Sequence, residues 1–259
     1  LEHNVSLSFT IVTYNNQDKI KNTILSIITA VDDVFPYKIY IVDNESTDKT
    51  LEIVKCIKHK SIEIVASENR GFGFGHNVVL NRLQSTYHFI VNPDIQIKNS
   101  QSLQIMINYM NENPNVGLLS PLILNEDGSI QYLFRNQPTV LDAAIRFAGK
   151  KILRKRQEKF INLESGYNHI LPIENASGSF MLVRTDIFKA VGGFDERYFM
   201  YYEDTDLTRK INEISSAMFV PTASVIHSWE RANGRDIRYI WIMLQSLYKY
   251  MHKWGWTLW

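Results

Sequence analysis

Cysteine is all but missing from this chain of 259 residues. Cys56 stands alone, so no internal disulfide can form and no oxidising compartment is implied. No apolar run approaches the span of about 20 residues that crosses a bilayer. No stretch reads as a signal peptide, and the start at Leu1-Glu2-His3 lacks a methionine. Also missing is an excess of either charge. Lys and Arg number 28 against 27 Asp and Glu, a formal net charge of +1. Such a balance excludes a general polyanion binder and argues against nucleic acid as a partner. Repeats and low-complexity tracts are absent. What remains is ordinary globular material, 45% hydrophobic and 21% charged, which excludes disorder as the main state. The length fits one large domain, with or without a C-terminal extension. Aromatic residues are abundant, and Trp241, Trp254, Trp256 and Trp259 crowd the C-terminal end.

Apolar, β-branched runs at Leu7–Thr13, Lys38–Val42, Ile62–Val65 and Tyr87–Val91 read as buried strands. Between them lie segments with helical spacing: Ile20, Ile24, Ile27 and Ile28; then Leu51, Val54 and Ile57; then a glycine-rich loop and a helix through Leu83; then Leu103–Met110. Asp18, and Ser46 or Thr47, are candidate caps. Strands alternating with helices predict βαβ units and a mostly parallel sheet, whose ligands bind beyond the carboxyl ends of the strands. Three of these strands end in polar clusters: Thr13-Tyr14-Asn15, Asp43-Asn44 and Asn92-Pro93-Asp94. The fold rule gathers them into one crevice. The second half differs in texture. Val116–Leu124 and Ser129–Leu133 flank Asn125-Glu126-Asp127-Gly128 as a hairpin. Strands are expected at Ser179–Arg184, Ala217–Val220 and Ser224–His227, and helices at Asp186–Val191 and Glu203–Ile214. The tail, Ile237–His252, carries Ile240, Met243, Leu244, Leu247 and Tyr248 at amphipathic spacing.

Each polar cluster has a structural and a chemical reading. Asp43 at a strand end can accept hydrogen bonds from a nucleoside, or simply terminate a turn, and Asp48 reads as a cap. Three alternate glycines in Asn69-Arg70-Gly71-Phe72-Gly73-Phe74-Gly75-His76-Asn77 allow close backbone approach, but they lack dinucleotide-fingerprint spacing. Asn92 and Asp94, two apart at a strand end, point the same way and offer oxygen ligands suited to Mg²⁺ or Mn²⁺; the alternative is an Asn-Pro-Asp turn. Glu203-Asp204-Thr205-Asp206 follows Phe199-Met200-Tyr201-Tyr202. These acids can favour the N-terminus of a helix, or one can serve as a general base in an aromatic wall. His227 ends a strand and is either structural or a metal ligand. Trp229 and Arg231 beside it could meet an acceptor or simply pack.

In their order, TIVTYNN, IVDNESTDKT, ENRGFGFGHN, FIVNPD, GGFDERYFMYYEDTDLTRK and a downstream histidine resemble glycosyltransferase family 2, and most of all its bacterial rhamnosyltransferase-like members. The resemblance covers about residues 5 to 230. It implies an α/β GT-A fold, a Rossmann-like nucleotide-diphospho-sugar transferase architecture with a mostly parallel central sheet, followed here by a C-terminal helical extension. It implies a donor-binding half over residues 1–115, an acceptor-binding and catalytic half over 116–232, and an amphipathic tail over 233–259. By the same resemblance Thr13, Tyr14, Asn15, Asp43, Asn69, Gly71, Asn77 and Asn92 are donor-side residues. Asp94 and His227 are metal ligands and Asp204 is the catalytic base. Asp195, Glu203 and Trp229 lie toward the acceptor. The family's first metal-motif acid is Asn92 here, which removes one negative charge and implies weaker metal affinity.

The expected reaction is inverting transfer of a sugar to a hydroxyl, with dTDP-β-L-rhamnose the first choice of donor and UDP-glucose, UDP-galactose or UDP-GlcNAc the alternatives. The expected acceptor is a glycan or lipid-linked glycan of a surface polysaccharide. The expected location is the cytoplasm, including the inner face of the plasma membrane. The basic cluster Lys150–Arg156 (KKILRKR) and the Trp-rich tail would suit a membrane surface. A solvated loop, a self-packing helix and a homodimer contact remain open for the same residues. A non-catalytic sugar-nucleotide binder on this fold is the competing class. A dehydrogenase is disfavoured because the loop after the first strand has no glycine.

Overall fold

The protein is described by a computed structural model over residues 5–32, 34–148, 152–228 and 237–259. In chain order the elements are β1 (Leu7–Thr13), α1 (Ile20–Val31), β2 (Tyr37–Asp43), α2 (Thr50–Cys56), β3 (Ile62–Ala66), α3 (Phe72–Asn77), β4 (Tyr87–Val91), β5 (Ile95–Gln96), α4 (Ser100–Glu112) and β6 (Val116–Leu124). They continue as α5 (Val140–Ala148), α6 (Arg154–Phe160), β7 (Leu171–Pro172), β8 (Phe180–Arg184), α7 (Thr185–Ala190), α8 (Glu203–Ile214), β9 (Ser216–His227) and α9 (Ile237–Trp254).

The strands form one sheet in the order β3-β2-β1-β4-β8-β6-β9-β5, with β7 on β9. Strands β1, β2, β3, β4, β6 and β9 run one way, and β5, β7 and β8 the other. β1 and β4 are buried throughout, as expected for parallel strands covered on both faces. Alternation along the strands divides the core. Phe9, Ile11, Phe89 and Val91 pack with Ile24 and Ile27 of α1 and Met106 of α4 on one face. Val12 and Ile90 pack with Phe188 of α7 and Leu207 and Ile211 of α8 on the other. This three-layer sandwich sends the carboxyl ends of β1, β2 and β4 to one edge.

Several local expectations change in the structure. The helix after the glycine loop breaks after α3 and continues only as a 3₁₀ turn at Leu80–Arg82. Asp18 caps nothing, because α1 begins without a side-chain cap. Asp48 accepts from the N–H of Thr50 (2.9 Å), the first residue of α2, but the N-cap position itself is Lys49. The expected hairpin closes at Asn125–Gly128, but its second arm is one bridge, Leu124 to Ile130, rather than a strand. The two expected late strands are one strand, β9, with a register shift between Val220 and Ser224. In α9 the buried side is Met243, Ser246, Tyr250 and Met251, whereas Leu244 and Tyr248 of the expected core stripe are exposed.

Candidate active site

Asn15 stands at φ 55°, in the left-handed region that asparagine tolerates better than most residues. Its Oδ1 accepts from the amides of Thr47 (2.8 Å) and Asp48 (3.3 Å), and its N–H donates to Ser46 Oγ (3.0 Å). Asn15 therefore ties the loop after β1 to the loop after β2. Thr13 donates through Oγ1 to Asn16 Oδ1 (3.0 Å), and Tyr14 projects a half-exposed ring. Asp43 is buried opposite Thr13 in the β1–β2 register. One of its oxygens accepts from the Ser46 N–H (3.3 Å), while Oδ1 is buried without a hydrogen-bond partner. A buried acceptor left this way is costly until a donor arrives, so Asp43 is suited to a ligand N–H or O–H.

The glycine loop joins this end to the second half of the chain. Gly71 O accepts from Asn44 Nδ2 (3.3 Å), and the Phe72 N–H donates to Phe199 O (3.1 Å). Gly71 has φ +106°, and a Cβ there would lie 2.1 Å from Phe199 O, so only glycine permits the approach. Asn69 is half-buried, with its N–H directed at Glu45 Oε2 (3.4 Å). Asn77 makes contacts toward the other side. Its amide donates to Phe194 O (2.8 Å) and Glu196 Oε1 (3.1 Å) and accepts from the Phe194 N–H (2.9 Å). It is the joint between the glycine loop and the Gly192–Arg197 turn.

Asp204 sits in the first turn of α8. Its Oδ2 accepts from the Gly178 N–H (3.0 Å) and its Oδ1 from the Thr205 N–H (2.8 Å). A Cβ on Gly178 would stand 3.3 Å from both Asp204 Cβ and the Phe72 ring, which puts the carboxylate beside the glycine loop. Ahead of it, Tyr201 and Tyr202 both adopt positive φ, a local strain that aims the start of α8. Glu203 is buried, and its Oε2 has no hydrogen-bond partner. Burial, aided by the adjacent Asp204, pushes its carboxyl well above the usual range.

The loop before β8 links Asp204 to the end of β4. Ser179 O accepts from the Asn92 N–H (2.9 Å). Asn92 and Asp94 flank Pro93, whose carbonyl accepts from Thr23 Oγ1 (2.7 Å). The Ser228 N–H donates to Asp94 O (2.9 Å), and Ile95 pairs His227 across β5 and β9. Asp94 Oδ1 thus lies 3.2 Å from His227 Nε2, both side chains largely buried. The contact lacks hydrogen-bond alignment, and Oδ1 has no other donor. A carboxylate and an imidazole brought this close without a well-placed proton fit a divalent cation such as Mn²⁺ or Mg²⁺. Among the described residues no group of three or more His, Cys, Asp or Glu could hold a metal, so substrate oxygens and water would complete the shell.

The remaining expected residues are placed as follows. Both oxygens of Asp195 are engaged, by Arg197 (2.5 and 2.9 Å) and by Lys253 (2.9 Å), which hold its carboxyl well below the usual range. Trp229 and Arg231 lie outside the described residues, as does the start of the Lys150–Arg156 cluster. Two described arginines of that cluster are paired, Arg154 with Glu158 (2.8 Å) and Arg156 with Asp142 (2.7 Å), so they form no bare basic patch.

Sequence reasoning missed two contributors. Gln131 meets His227 Nδ1 through Oε1 (2.9 Å). The tail clamps α8 from behind: Lys253 Nζ donates to Asp206 Oδ2 (2.9 Å) and Trp254 Nε1 to Asp206 Oδ1 (2.7 Å), and that carboxylate is fully buried. An acid-rich helix start facing a Lys-Trp tail offered a signal for the clamp. Nothing local marked Gln131.

Comparisons with known proteins give the family and the fold. The family model described as Glycosyl transferase family 2 matches residues 8–192. The N-acetylglucosaminyl-diphospho-decaprenol L-rhamnosyltransferase of Mycobacterium tuberculosis is 28% identical over 245 residues, covering 87% of this chain and 76% of that protein. The rhamnosyltransferase WbbL of Escherichia coli K12 is 29% identical over 226 residues, covering 84% and 81%. Among solved structures, the mannosyltransferase PcManGT of Pyrobaculum calidifontis, in complex with GDP-Man and Mn²⁺, superposes with a TM-score of 0.66 at 16% identity. That match covers 95% of this chain and 64% of the solved one, and it is a likeness of fold.

Proposed function

The chain belongs to glycosyltransferase family 2 and has the GT-A fold, and from that premise we propose that it transfers L-rhamnose from dTDP-rhamnose, with inversion, to a hydroxyl of a lipid-linked glycan. The observation that carries the chemistry is Asp204, held between two backbone N–H groups at the start of α8 and beside the glycine loop. The choice of sugar rests on the two relatives named as rhamnosyltransferases, each matched over more than four-fifths of this chain. A UDP-sugar donor is the alternative, and a non-catalytic binder leaves the placement of Asp204 unexplained.

In this reading residues 1–115 bind the donor, 116–232 bind the acceptor and carry the base, and 233–259 brace them. Asp43 Oδ1 takes a donor from the nucleoside. Thr13, Tyr14 and Asn15 shape the base pocket, and Asn69, Gly71 and Asn92 bring polar groups to the sugar diphosphate. Asn77 supports the glycine loop. The gripped Asp204 keeps acceptor capacity on Oδ2, which accepts from the Gly178 N–H, and is orientated to take the proton of the attacking hydroxyl, a role worth about 10²–10⁴ in rate. Asp94 and His227 would hold a Mg²⁺ or Mn²⁺ ion, which when bound neutralises charge on the departing diphosphate. Asp195 and Lys253 fix the wall from which an acceptor would approach.

The outer face of α9 supports a membrane-proximal acceptor. Ile237, Trp241, Leu244 and Tyr248 are exposed along it, and Trp256 continues the stripe with its ring 5.9 Å from that of Tyr248. Residues 237–259 contain no acid, and of their cations Lys253 is committed to Asp195 and Asp206. An exposed aromatic stripe without acids fits the interface of an anionic bilayer. No helix of the described residues is long and apolar enough to cross one. The deciding experiment is calorimetry with dTDP, UDP and GDP, with and without Mn²⁺, followed by transfer assays on Asp204→Asn. Binding of dTDP is expected to survive this substitution while turnover falls about 10²–10⁴-fold. Transfer at the wild-type rate would overturn the assignment of the base.

A further inference from the structure

We propose that Gln131 is a positioning residue that fixes the tautomer of His227, presenting a bare Nε2 toward Asp94 and a cation; the proposal rests on the reading of Asp94 and His227 as metal ligands. Gln131 is buried, and its amide makes three hydrogen bonds. Nε2 donates to the backbone carbonyl of His227 (2.8 Å). A carbonyl can only accept, so that contact determines which end of the amide is nitrogen. The opposite end, Oε1, can only accept, and it faces His227 Nδ1 at 2.9 Å. Nδ1 must therefore carry the ring proton, and in the neutral imidazole Nε2 is then the bare nitrogen. That nitrogen lies 3.2 Å from Asp94 Oδ1. Two acceptors face one another, which is unfavourable by itself and favourable around a cation.

The same polarity follows from the other end of the network. The carboxylate of Asp127 accepts from Ser129 Oγ (2.6 Å), so Ser129 Oγ is left to accept from Asn125 Nδ2 (2.8 Å). Asn125 Oδ1 then accepts from Gln131 Nε2 (2.8 Å). Four consecutive bonds agree in direction, from the turn at Asn125–Gly128 to the imidazole. The abbreviated hairpin holds Gln131 against His227 of β9. An outer partner on the remote ring nitrogen of a ligand histidine is the usual means of orienting it, and its loss costs about 10–100-fold in metal affinity.

The test reads the tautomer directly. Long-range ¹H–¹⁵N spectra of histidine-labelled protein at pH 8, with His227 assigned by its loss in His227→Asn, should show a protonated Nδ1 and a bare Nε2. In Gln131→Leu this preference should vanish or reverse. In Gln131→Glu, which keeps an acceptor for Nδ1–H, it should persist. Mn²⁺ affinity in the presence of dTDP, followed by the electron paramagnetic resonance signal of free Mn²⁺, should fall about 10–100-fold in Gln131→Leu and stay within a few-fold in Gln131→Glu. A wild-type His227 protonated on Nε2 would overturn the proposal without reference to any variant. So would a folded Gln131→Leu that keeps both the tautomer and the Mn²⁺ affinity. Tautomer control with no Mn²⁺ binding in either protein would instead overturn Asp94 and His227 as ligands, and with them the cation role of Gln131.

Discussion

Replacing Lys253 by methionine keeps the aliphatic stem and removes one charge from the joint between α9 and α8. Asp206 is fully buried and is met by Lys253, by Trp254 Nε1 and, at 3.4 Å, by the Tyr198 hydroxyl. Breaking a buried pair from one side costs about 3–5 kcal/mol, because the remaining charge stays buried. The indole and phenol still donate to Asp206, and Arg197 still holds Asp195, so the low end, about 3 kcal/mol, is expected. For a domain of this size each kcal/mol moves the melting temperature by roughly 2–4 °C, which gives a drop of roughly 6–12 °C. Calorimetry or circular dichroism would measure it. The double variant Lys253→Met/Asp206→Asn removes the stranded charge and should recover at least half of the loss. Under the proposed function, the Lys253→Met variant should also lose turnover with nucleotide affinity unchanged, since α8 carries Asp204. A drop below about 2 °C, or no recovery in the double variant, would refute the claim that this charge pair fastens the tail.

Gly71→Ala should destabilise by more than about 3 kcal/mol, since the new methyl meets Phe199 O. Gly128→Ala, also at positive φ but with open space around it, should cost only about 1–2 kcal/mol in urea titrations. His88 is buried, with its Nδ1 2.7 Å from Ser8 Oγ, and burial lowers its pKa from 6.5 to about 3. The unfolded chain therefore binds its proton first. The stability this group contributes is intact above pH 6.5 and is lost as pH falls toward 3, by about 1.4 kcal/mol per pH unit. Buried His76, depressed for the same reason, acts in the same direction. Urea midpoints at pH 7 and pH 5 should show the loss, and His88→Phe should flatten it; an unchanged slope would discount His88. The protein should sediment with phosphatidylglycerol vesicles more than with phosphatidylcholine vesicles, and Trp241→Glu should reduce this. No vesicle binding, together with a dimer by light scattering, would assign the exposed stripe of α9 to a second copy.

The sequence by itself determined the edge at which the strand ends gather. Apolar, β-branched strands separated by helices commit the chain to a parallel sheet, and a parallel sheet places every strand end on one side. Thr13, Asp43 and Asn92 are therefore neighbours by topology, whatever their side chains do. The acid pair at the start of α8 was legible for a similar reason, because a local motif marks a helix N-terminus. Only the tertiary structure decided what the second half does with its polar groups. The amide of Asn77 turns to the Phe194–Glu196 segment, more than a hundred residues away. Asp195 is held by Lys253, 58 residues on, and Gln131 grips His227 across 96. These partners are chosen by packing between the sheet, the loops and the tail. Hydrophobic periodicity records which face of an element is buried, and it carries no record of which buried donor will meet which acceptor.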